Sequence, residues 1–423
     1  MRKEFLLHHL TAFILAALLS IVIIAYTPLK PYFIDFDKGA SPLAQPDTAT
    51  VFFANYDNGY CDELAFRNAL HHGNAITLIG SSELTNKKMK GMPYNFFNAH
   101  KIPCIGFGHE GNQDLAITAQ LAVLHNELKD SKIIIILSPG WFEGGYSKGT
   151  SLESFLEFVN ERFLYLLYFD NEIPAETKNY IYSYVDRNYK DINSPSAILK
   201  LMYFTAQSNK SILNRIVFAP YCFFYQMYCE KKQKLMTDLF YKNKSYVPFT
   251  EEPYKVLAKT SPDSLNINWD SVRSNAIEAF KTISNNNNLG IENNYYNKYM
   301  QKAAPSIVVP VKTKDNTEFK DFVALLRFLK TFNCRPLFVM QPFNPLAFSN
   351  MHDIEPIEDS IINELKKNNF PYMNLQVSAK DKYVKGTLND YQHLGDVGWY
   401  QIDQKAYELF VKNKLNEKAA IHN

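Results

Sequence analysis

The stretch Asn74-Ala75-Ile76-Thr77-Leu78-Ile79-Gly80-Ser81-Ser82-Glu83 decides the fold of this 423-residue chain. Its short apolar run is stopped by a glycine and followed by small and acidic residues, which is typical of a buried parallel strand that ends in a turn. A helix is expected after the turn, because the free N–H groups at its N-terminus would then point at the serines. The stretch therefore predicts the first strand-to-helix step of an α/β fold.

Similar steps recur along the chain. The other predicted strands are residues 102–107, 132–137, 336–340 and 372–377, and the predicted helices are 113–129, 318–331 and 355–368. Buried strands joined by helices predict an α/β fold with a doubly wound, mostly parallel sheet that is covered on both faces. Such a sheet binds ligands at the carboxyl ends of its strands.

The middle of the chain has a helical rather than an alternating pattern. Residues 151–245 show helical periodicity, and the polar, asparagine-rich segment 285–297 behaves like a loop that separates them from the last third. We therefore expect a helical insertion at about 151–300. Many of the 27 Tyr and 31 Phe residues lie within 155–245, which indicates either thick helix packing or a surface that touches another protein or lipid.

The N-terminal segment has the pattern of a membrane anchor. Arg2 and Lys3 precede an uncharged apolar run at residues 10–26 that is nearly long enough to span a bilayer. A cleaved signal peptide would have a shorter apolar core and a small-residue cleavage site, so a retained transmembrane helix is favoured, with cleavage as the alternative. We expect an anchor at 1–30, a stalk at 31–49 and an extracytoplasmic domain at 50–423, in a single-pass protein of the cell membrane.

Composition argues against several classes of function. The 45 basic residues nearly cancel the 43 acidic ones, so the net charge of +2 does not indicate a nucleic acid as partner. The five cysteines are scattered without metal-ligand spacing. His71, His72, His109 and His125 also have no carboxylate or cysteine at ligand spacing, so we expect neither a metal site nor a cofactor.

Two short motifs carry the chemistry. A serine of the first turn, Ser81 or Ser82, could be a nucleophile, although on local sequence alone a helix cap is the commoner role. A serine nucleophile needs a histidine as base and a carboxylate that orients the histidine. The motif Asp390-Tyr391-Gln392-His393 supplies both, at a spacing that lets the carboxylate accept from Nδ1–H while Nε2 faces the serine. Alone, this spacing is more often a surface turn, so the prediction of an acyl-transfer site rests on the joint occurrence.

Five motifs together resemble the DltD family. They are Gly80-Ser81-Ser82-Glu83, Gly111-Asn112-Gln113, Ser138-Pro139-Gly140-Trp141-Phe142, Gln341-Pro342-Phe343-Asn344, and Asp390-x-x-His393 with Gly398-Trp399. The likeness spans nearly the whole chain, and DltD proteins in turn look like the SGNH hydrolases, which have a Ser-Asp-His triad. The resemblance therefore implies an SGNH-hydrolase-like fold and an acyl-ester activity.

The resemblance also implies roles for single residues. It makes Ser82 the nucleophile, with Ser81 as second choice, His393 the base and Asp390 its orienter. The backbone N–H groups of Ser82 and Gly111 match two oxyanion donors of the SGNH family.

The third SGNH donor, an asparagine after the third strand, has no counterpart in this sequence. Asn112, Gln113 or the Ser138 hydroxyl could replace it, while Gln113 and Ser138 could equally be ordinary turn residues. Trp141 could pack in the core or line an acyl pocket. Asn344 follows a strand and could belong either to the rim of the site or to a plain turn.

The implied function is transfer of a D-alanyl group onto a hydroxyl of lipoteichoic acid or a related envelope polymer, through an acyl-serine intermediate. The implied partners are a membrane-bound O-acyltransferase and a small membrane peptide, which would supply the activated acyl group. Two alternatives stay open. The same site could hydrolyse an envelope ester or thioester, because water and a polymer hydroxyl differ only in which acceptor the cleft admits. The protein could also be a non-catalytic accessory subunit of an acyltransferase complex.

Overall fold

The computed structural model describes residues 75–85, 89–242 and 267–412, together with Val51–Phe52 and parts of 9–15 and 63–73. The predicted stalk and most of the predicted anchor lie outside these residues. In the described part of the chain, no helix is both long and apolar enough to cross a bilayer. The chain divides into two compact units, one made of Met1–Gly39 and Tyr182–Val247 and the other of Ala40–Ile181 and Pro248–Asn423.

The second unit is built on a parallel sheet. Its strands are β1 Val51–Phe52, β2 Ile76–Ile79, β3 Cys104–Phe107, β4 Lys132–Leu137, β5 Leu337–Met340 and β6 Tyr372–Asn374. They lie in the order β1-β3-β2-β4-β5-β6, and every neighbouring pair is parallel. The chain leaves β2 toward one edge of the sheet and leaves β4 toward the other. These adjacent strands therefore form a topological switch point, where sheets of this class bind ligands.

Helices join the strands. They are α1 Pro93–Ala99, α2 Asp114–Val123, α3 Leu152–Phe158, α4 Glu161–Phe169, α5 Ala175–Asn188, α6 Ala197–Ser208, α7 Ile212–Lys242, α8 Trp269–Ile283, α9 Thr317–Thr331, α10 Glu355–Lys367 and α11 Asp396–Tyr407. Helices α6 and α7 belong to the first unit, and α5 spans the division between the units. Between β4 and β5 the described residues form helices and turns, in the region where the insertion is predicted.

Both faces of the sheet are covered. Because side chains alternate along a strand, Leu78 and Ile134 point to one face, where they pack in a buried cluster with Tyr94 of α1 and Trp399 of α11. On the other face α2 packs against α9, and all ten residues of α2 are buried. The prediction of an α/β fold with a parallel sheet between helices is therefore confirmed.

One local prediction is wrong. The segment 293–297, predicted as loop, forms a helical turn at Asn293–Tyr295 that continues into a π-helical turn at Tyr296–Met300. The Asn293 carboxamide oxygen accepts the backbone N–H groups of Asn285 and Asn286 at 3.1 and 3.2 Å, and its nitrogen donates to Asn285 Oδ1 at 2.8 Å. Side-chain amides thus supply hydrogen bonds that composition alone does not reveal.

Candidate active site

Residues 80–85, which we call the serine turn, follow β2 directly. After Gly80, Ser82 begins a short 3-10 helix that ends at Thr85. Glu83 folds back over the turn, where its Oε1 accepts the Ser81 N–H at 2.6 Å. A Cβ on residue 80 would lie 2.3 Å from Glu83 Oε1, so only glycine leaves room for this contact. The turn therefore presents Ser82 at the carboxyl end of a central strand.

The loop that carries His393, residues 388–394, is held closed by its own hydrogen bonds; we call it the histidine loop. Leu388 and Leu394 form an antiparallel bridge, and the Asn389 N–H donates to the His393 carbonyl at 2.8 Å. Inside this loop, Asp390 Oδ1 accepts the N–H groups of Gln392 and His393 at 2.8 and 2.7 Å. An aspartate that bonds to the backbone two and three residues ahead of it stabilises a tight turn. Asp390 therefore fixes the backbone that carries His393.

The two motifs meet at the switch point. Ser82 Oγ lies 2.8 Å from His393 Nε2, although 311 positions separate the residues. His393 Nδ1 lies 2.7 Å from Asp390 Oδ2. A carboxylate only accepts, so the imidazole donates from Nδ1–H and its Nε2 is left to accept from the Ser82 hydroxyl. This is the geometry that a serine nucleophile, its base and the base's orienter require.

Charges around His393 favour its protonated form. Burial by itself lowers the pKa of His393, but the hydrogen bond and charge of Asp390, with smaller contributions from the Glu83 and Glu110 charges, outweigh it, so the pKa is raised. Burial also raises the pKa of Glu83, against the opposing effects of backbone N–H groups and the His393 charge. The site therefore stabilises an imidazolium, the species formed when the histidine takes the serine proton.

Ser81 has a different partner from Ser82. It is buried, and its Oγ accepts the Gly111 N–H at 3.1 Å. Gly111 has a φ of 92°, and a Cβ there would lie 2.3 Å from Ser154 Oγ. The geometry thus favours Ser82 over Ser81 as the residue next to the imidazole. It also shows that the Gly111 N–H, expected to be an oxyanion donor, is engaged by the Ser81 hydroxyl.

Four other predicted site residues are buried at the neighbouring strand ends. Asn112 Nδ2 donates to the Gly80 carbonyl at 3.1 Å, so this carboxamide stabilises the serine turn. Gln113 Nε2 donates to the Tyr146 carbonyl at 3.4 Å. The Ser138 carbonyl accepts the Trp141 N–H at 3.1 Å within the turn after β4. The contacts of Asn112 and Gln113 are those of residues that hold turns together.

Asn344 joins the histidine loop to the asparagine-rich segment. Its backbone N–H donates to the Tyr391 carbonyl at 2.9 Å, and its Nδ2 donates to the Leu289 carbonyl at 2.9 Å. Nearby, the Glu292 N–H donates to the Asn389 carbonyl at 2.8 Å. Asn344 is fully buried, so it positions the two loops and does not line the rim of the site.

A cavity of about 240 Å³ lies beside this junction. Its lining includes Asn286, Asn287, Asn288, Tyr296, Met300 and Leu346. The sequence predicted neither this cavity nor the effect of the Glu83 charge on the pKa of His393. The feature of the sequence that could have indicated a binding site here is the run of asparagines. Carboxamides that line a cavity can bind a hydroxyl-rich ligand.

Three of the remaining histidines pair with carboxylates that are distant in the sequence. His71 Nδ1 lies 2.6 Å from Glu127, His109 Nε2 lies 3.0 Å from Glu157, and His125 Nε2 lies 3.0 Å from Asp170. Within the described residues, His125, Asp170 and Glu172 also lie close enough together to share a metal ion. Spacing along the chain could not reveal these pairs, because the partners come from other helices and turns.

Comparison with known proteins gives a consistent result. The family model described as DltD protein matches residues 57–411. Protein DltD of Bacillus subtilis (strain 168) is 24% identical over 357 residues, which cover 80% of this chain and 83% of the relative. Protein DltD of Staphylococcus aureus (strain NCTC 8325 / PS 47) is 22% identical over 341 residues, which cover 78% of this chain and 79% of the relative. The chain therefore belongs to the DltD protein family.

Proposed function

We propose that this protein is an extracytoplasmic serine O-acyltransferase that acts in the D-alanylation of teichoic acid. The proposal rests on one observation, the hydrogen-bonded chain from Ser82 Oγ through the His393 imidazole to Asp390, at 2.8 and 2.7 Å. Membership of the DltD family supports D-alanyl as the transferred acyl group and teichoic acid as the acceptor polymer. The site also lies at the switch point of a parallel sheet, where sheets of this class bind ligands. This position supports an enzyme that binds an acyl substrate there.

In the first half of the reaction, Ser82 Oγ attacks the carbonyl carbon of an activated acyl ester or thioester while its proton moves to His393 Nε2. Asp390 accepts from Nδ1–H and stabilises the imidazolium that forms. When the tetrahedral intermediate collapses, the bond to the leaving group breaks and the leaving group takes the proton from Nε2. The product of this half is an acyl-Ser82 ester.

In the second half, a hydroxyl of the polymer gives its proton to His393 Nε2 and attacks the acyl-Ser82 carbonyl carbon. The bond to Ser82 Oγ then breaks, and the proton on Nε2 returns to the serine. In both halves negative charge develops on the carbonyl oxygen, for which the N–H groups of Ser82 and Gly111 are the proposed donors. For Gly111 to act in this way, the Ser81 hydroxyl must give up its present contact.

The cavity beside the histidine loop favours transfer over hydrolysis. Asn344 ties its wall to the loop that carries His393, and the exposed Asn288 contributes to its lining. Carboxamides can both donate to and accept from the hydroxyls of a polyol chain. We assign this cavity to the acceptor polymer. An enzyme that uses only water as the acceptor does not need such a cavity.

The proposed setting is the outer face of the cell membrane. The predicted anchor at 1–30 would hold the domain there, and no nucleotide is available outside the cell to activate the acyl group. The membrane-bound O-acyltransferase and small membrane peptide of the D-alanylation system are therefore the proposed partners. They would present the activated acyl group to Ser82.

A fluorophosphonate probe tests the proposal, because it reacts with activated serines. We expect the full-length protein in detergent to be labelled at Ser82, with labelling lost in Ser82→Ala and His393→Ala. Ser81→Ala is the matched control and should still be labelled. A folded wild-type protein without label would instead support the accessory subunit. An acyl-acceptor competition assay separates transfer from hydrolysis, since only a transferase forms more acylated product as a polyol acceptor is added.

A further inference from the structure

Helix α7 exposes an unusual amount of apolar surface. The side chains Ile212, Leu213, Ile216, Val217, Tyr221, Phe223, Phe224 and Tyr228 are each between 48% and 76% exposed. We call these eight side chains the apolar stripe. Single exposed apolar residues are normal on a soluble protein, but a contiguous set of this size marks an interaction surface.

The apolar stripe covers one half of the helix. At about 100° per residue, its members fall within roughly 180° of the helix circumference, and every residue of that half from Ile212 to Tyr228 is apolar or aromatic. The opposite half packs against α6, where the Phe204 ring lies 5.8 Å from the Phe218 ring and 5.6 Å from the Tyr225 ring. The opposite half also carries Asn214, Arg215 and Gln226. At the edge of the stripe the Tyr221 ring lies 5.1 Å from the Phe204 ring, so α6 covers the opposite half and reaches this edge.

Basic residues follow the apolar stripe on the same side of the helix. Lys231 and Lys234 continue its direction after Tyr228, while Lys232 falls just outside that half and Glu230 falls within it. From residue 211 to 235, Glu230 is the single acidic residue against Arg215 and these three lysines. Lysines next to aromatic and aliphatic side chains match the boundary between lipid tails and anionic headgroups.

The shape of the surface favours lipid over a protein partner. The stripe runs about 24 Å along the helix at about 1.5 Å per residue, and its only hydrogen-bonding side-chain groups are two tyrosine hydroxyls. Protein interfaces typically carry about one hydrogen bond per 100–200 Å² of buried area, whereas a bilayer needs only apolar area and compatible charge. Because the same half is apolar from Ile212 to Tyr228, this part of the helix suits a position in the plane of the membrane surface.

We propose that the apolar stripe of α7 lies in the interfacial layer of a lipid bilayer, with Lys231 and Lys234 at anionic headgroups. This contact adds to the predicted anchor at 1–30, and it does not depend on the chemistry proposed for Ser82. It gives a role to the aromatic-rich region 155–245.

Photo-crosslinking to lipid tests the proposal on the full-length protein. The protein is placed in nanodiscs of phosphatidylglycerol and phosphatidylcholine that carry a diazirine phospholipid, and labelled peptides are mapped by mass spectrometry after irradiation. We expect lipid adducts on residues 212–228. Exposed apolar side chains of the other unit, Ile307 and Val384, serve as internal controls and should carry at least fivefold less label.

Substitutions on α7 sharpen the test, with an exposed position of the other unit as the control. Phe223→Ser with Phe224→Ser should lower labelling of 212–228 at least fivefold, and Val384→Ser should leave it unchanged, with circular dichroism confirming the helix content of each. Lys231→Glu with Lys234→Glu should lower labelling in anionic discs but not in discs of phosphatidylcholine alone. Adducts on the predicted anchor with none on 212–228 would overturn the proposal. Absence of lipid adducts on 212–228 together with dimeric elution of the protein would assign the stripe to a second copy and would also overturn it.

Discussion

The Glu83 carboxylate accepts the backbone N–H of Ser81 at 2.6 Å and raises the pKa of His393 by its charge. In the proposed mechanism the imidazole must be neutral to take the serine proton, so kcat/KM should rise with pH through the pKa of His393, which lies above its usual value of about 6.5. Glu83→Gln keeps an acceptor for Ser81 but removes the charge. We expect the acid limb of the pH profile to move to lower pH in this variant.

The control for Glu83 is Glu110→Gln, because Glu110 is exposed and acts on His393 only through its charge. Added salt should screen that effect, so the shift in Glu110→Gln should shrink at 1 M salt while that in Glu83→Gln persists. An unchanged acid limb in Glu83→Gln would mean that the Glu83 charge does not act on the base.

Ser82 and Ser81 offer a matched pair of substitutions. Ser82→Ala removes the hydroxyl that lies 2.8 Å from His393 Nε2, and His393→Ala removes the base. We expect each to lower ester turnover at least ~1,000-fold, because the residues of a triad act as a unit. Ser81→Ala should lower it less than ~10-fold. Steady-state hydrolysis of an activated ester measures all three, and equal losses in Ser81→Ala and Ser82→Ala would contradict the assignment.

The sequence predicted five of the six strands, because most of them contain runs of apolar residues, and it did not predict β1 Val51–Phe52. Residues 132–137 were predicted as a strand and form β4 with the same bounds, since a short run of five aliphatic residues, four of them β-branched, is typical of a strand buried on both faces. The meeting of Ser82 and His393 at one sheet edge was also predictable, because both follow strands that end at that edge.

What the sequence could not reveal depends on partners brought together by folding. The Gly111 N–H bonds to Ser81 across 30 positions, and the Asn344 carboxamide bonds to Leu289 across 55. No local pattern encodes such pairs. The segment 293–297 was predicted as loop for a related reason, since its carboxamides replace apolar packing by hydrogen bonds to one another.

Asp390→Asn tests how the histidine is oriented. The carboxylate makes three contacts of 2.7 to 2.8 Å with this loop, one of them with His393 Nδ1. An asparagine that presents its NH₂ group to the ring favours the tautomer with the proton on Nε2, which cannot accept from Ser82. We expect turnover to fall by ~10,000-fold while kcat/KM becomes less dependent on pH below 8. A variant with near-normal turnover would show that Asp390 does not orient the base.

Asn288→Ala tests the acceptor cavity. Asn288 is exposed and lines the cavity beside the histidine loop, while Asn294 is exposed on the same segment and is not among the lining residues. Loss of one carboxamide should raise the KM for a polyol acceptor ~5-fold, which corresponds to about one hydrogen bond. Labelling of Ser82 by the fluorophosphonate should not change. Asn294→Ala is the control, and an equal effect in both variants would remove the cavity from the proposal.

Two fully buried carboxyl groups behind the site predict a dependence of stability on pH. Asp114 and Glu318 meet where the Asp114 N–H donates to Glu318 Oε1 at 3.0 Å, and burial raises the pKa of both. The Asp114 charge further raises the pKa of Glu318, whereas a hydrogen bond with Glu318 partly offsets the effect of burial on Asp114. In the unfolded chain these groups ionise near pH 4, at about 3.9 and 4.3. Their contribution to stability is therefore complete below pH 4 and is lost as pH rises toward the raised pKa values of the folded state.

Glu318→Gln removes one ionisable group but keeps the acceptor for the Asp114 N–H. Its new NH₂ group can donate to the Asp114 carboxylate, so we expect the variant to lose less stability than wild type between pH 5 and pH 8. Thermal unfolding across that range measures the difference, which we expect to reach several degrees in Tm at pH 8, the effect of roughly 1–2 kcal/mol. Glu278→Gln, at a side chain that is 70% exposed, is the control. If Tm depends on pH in the same way in wild type and Glu318→Gln, ionisation of the buried pair does not lower the stability of the fold.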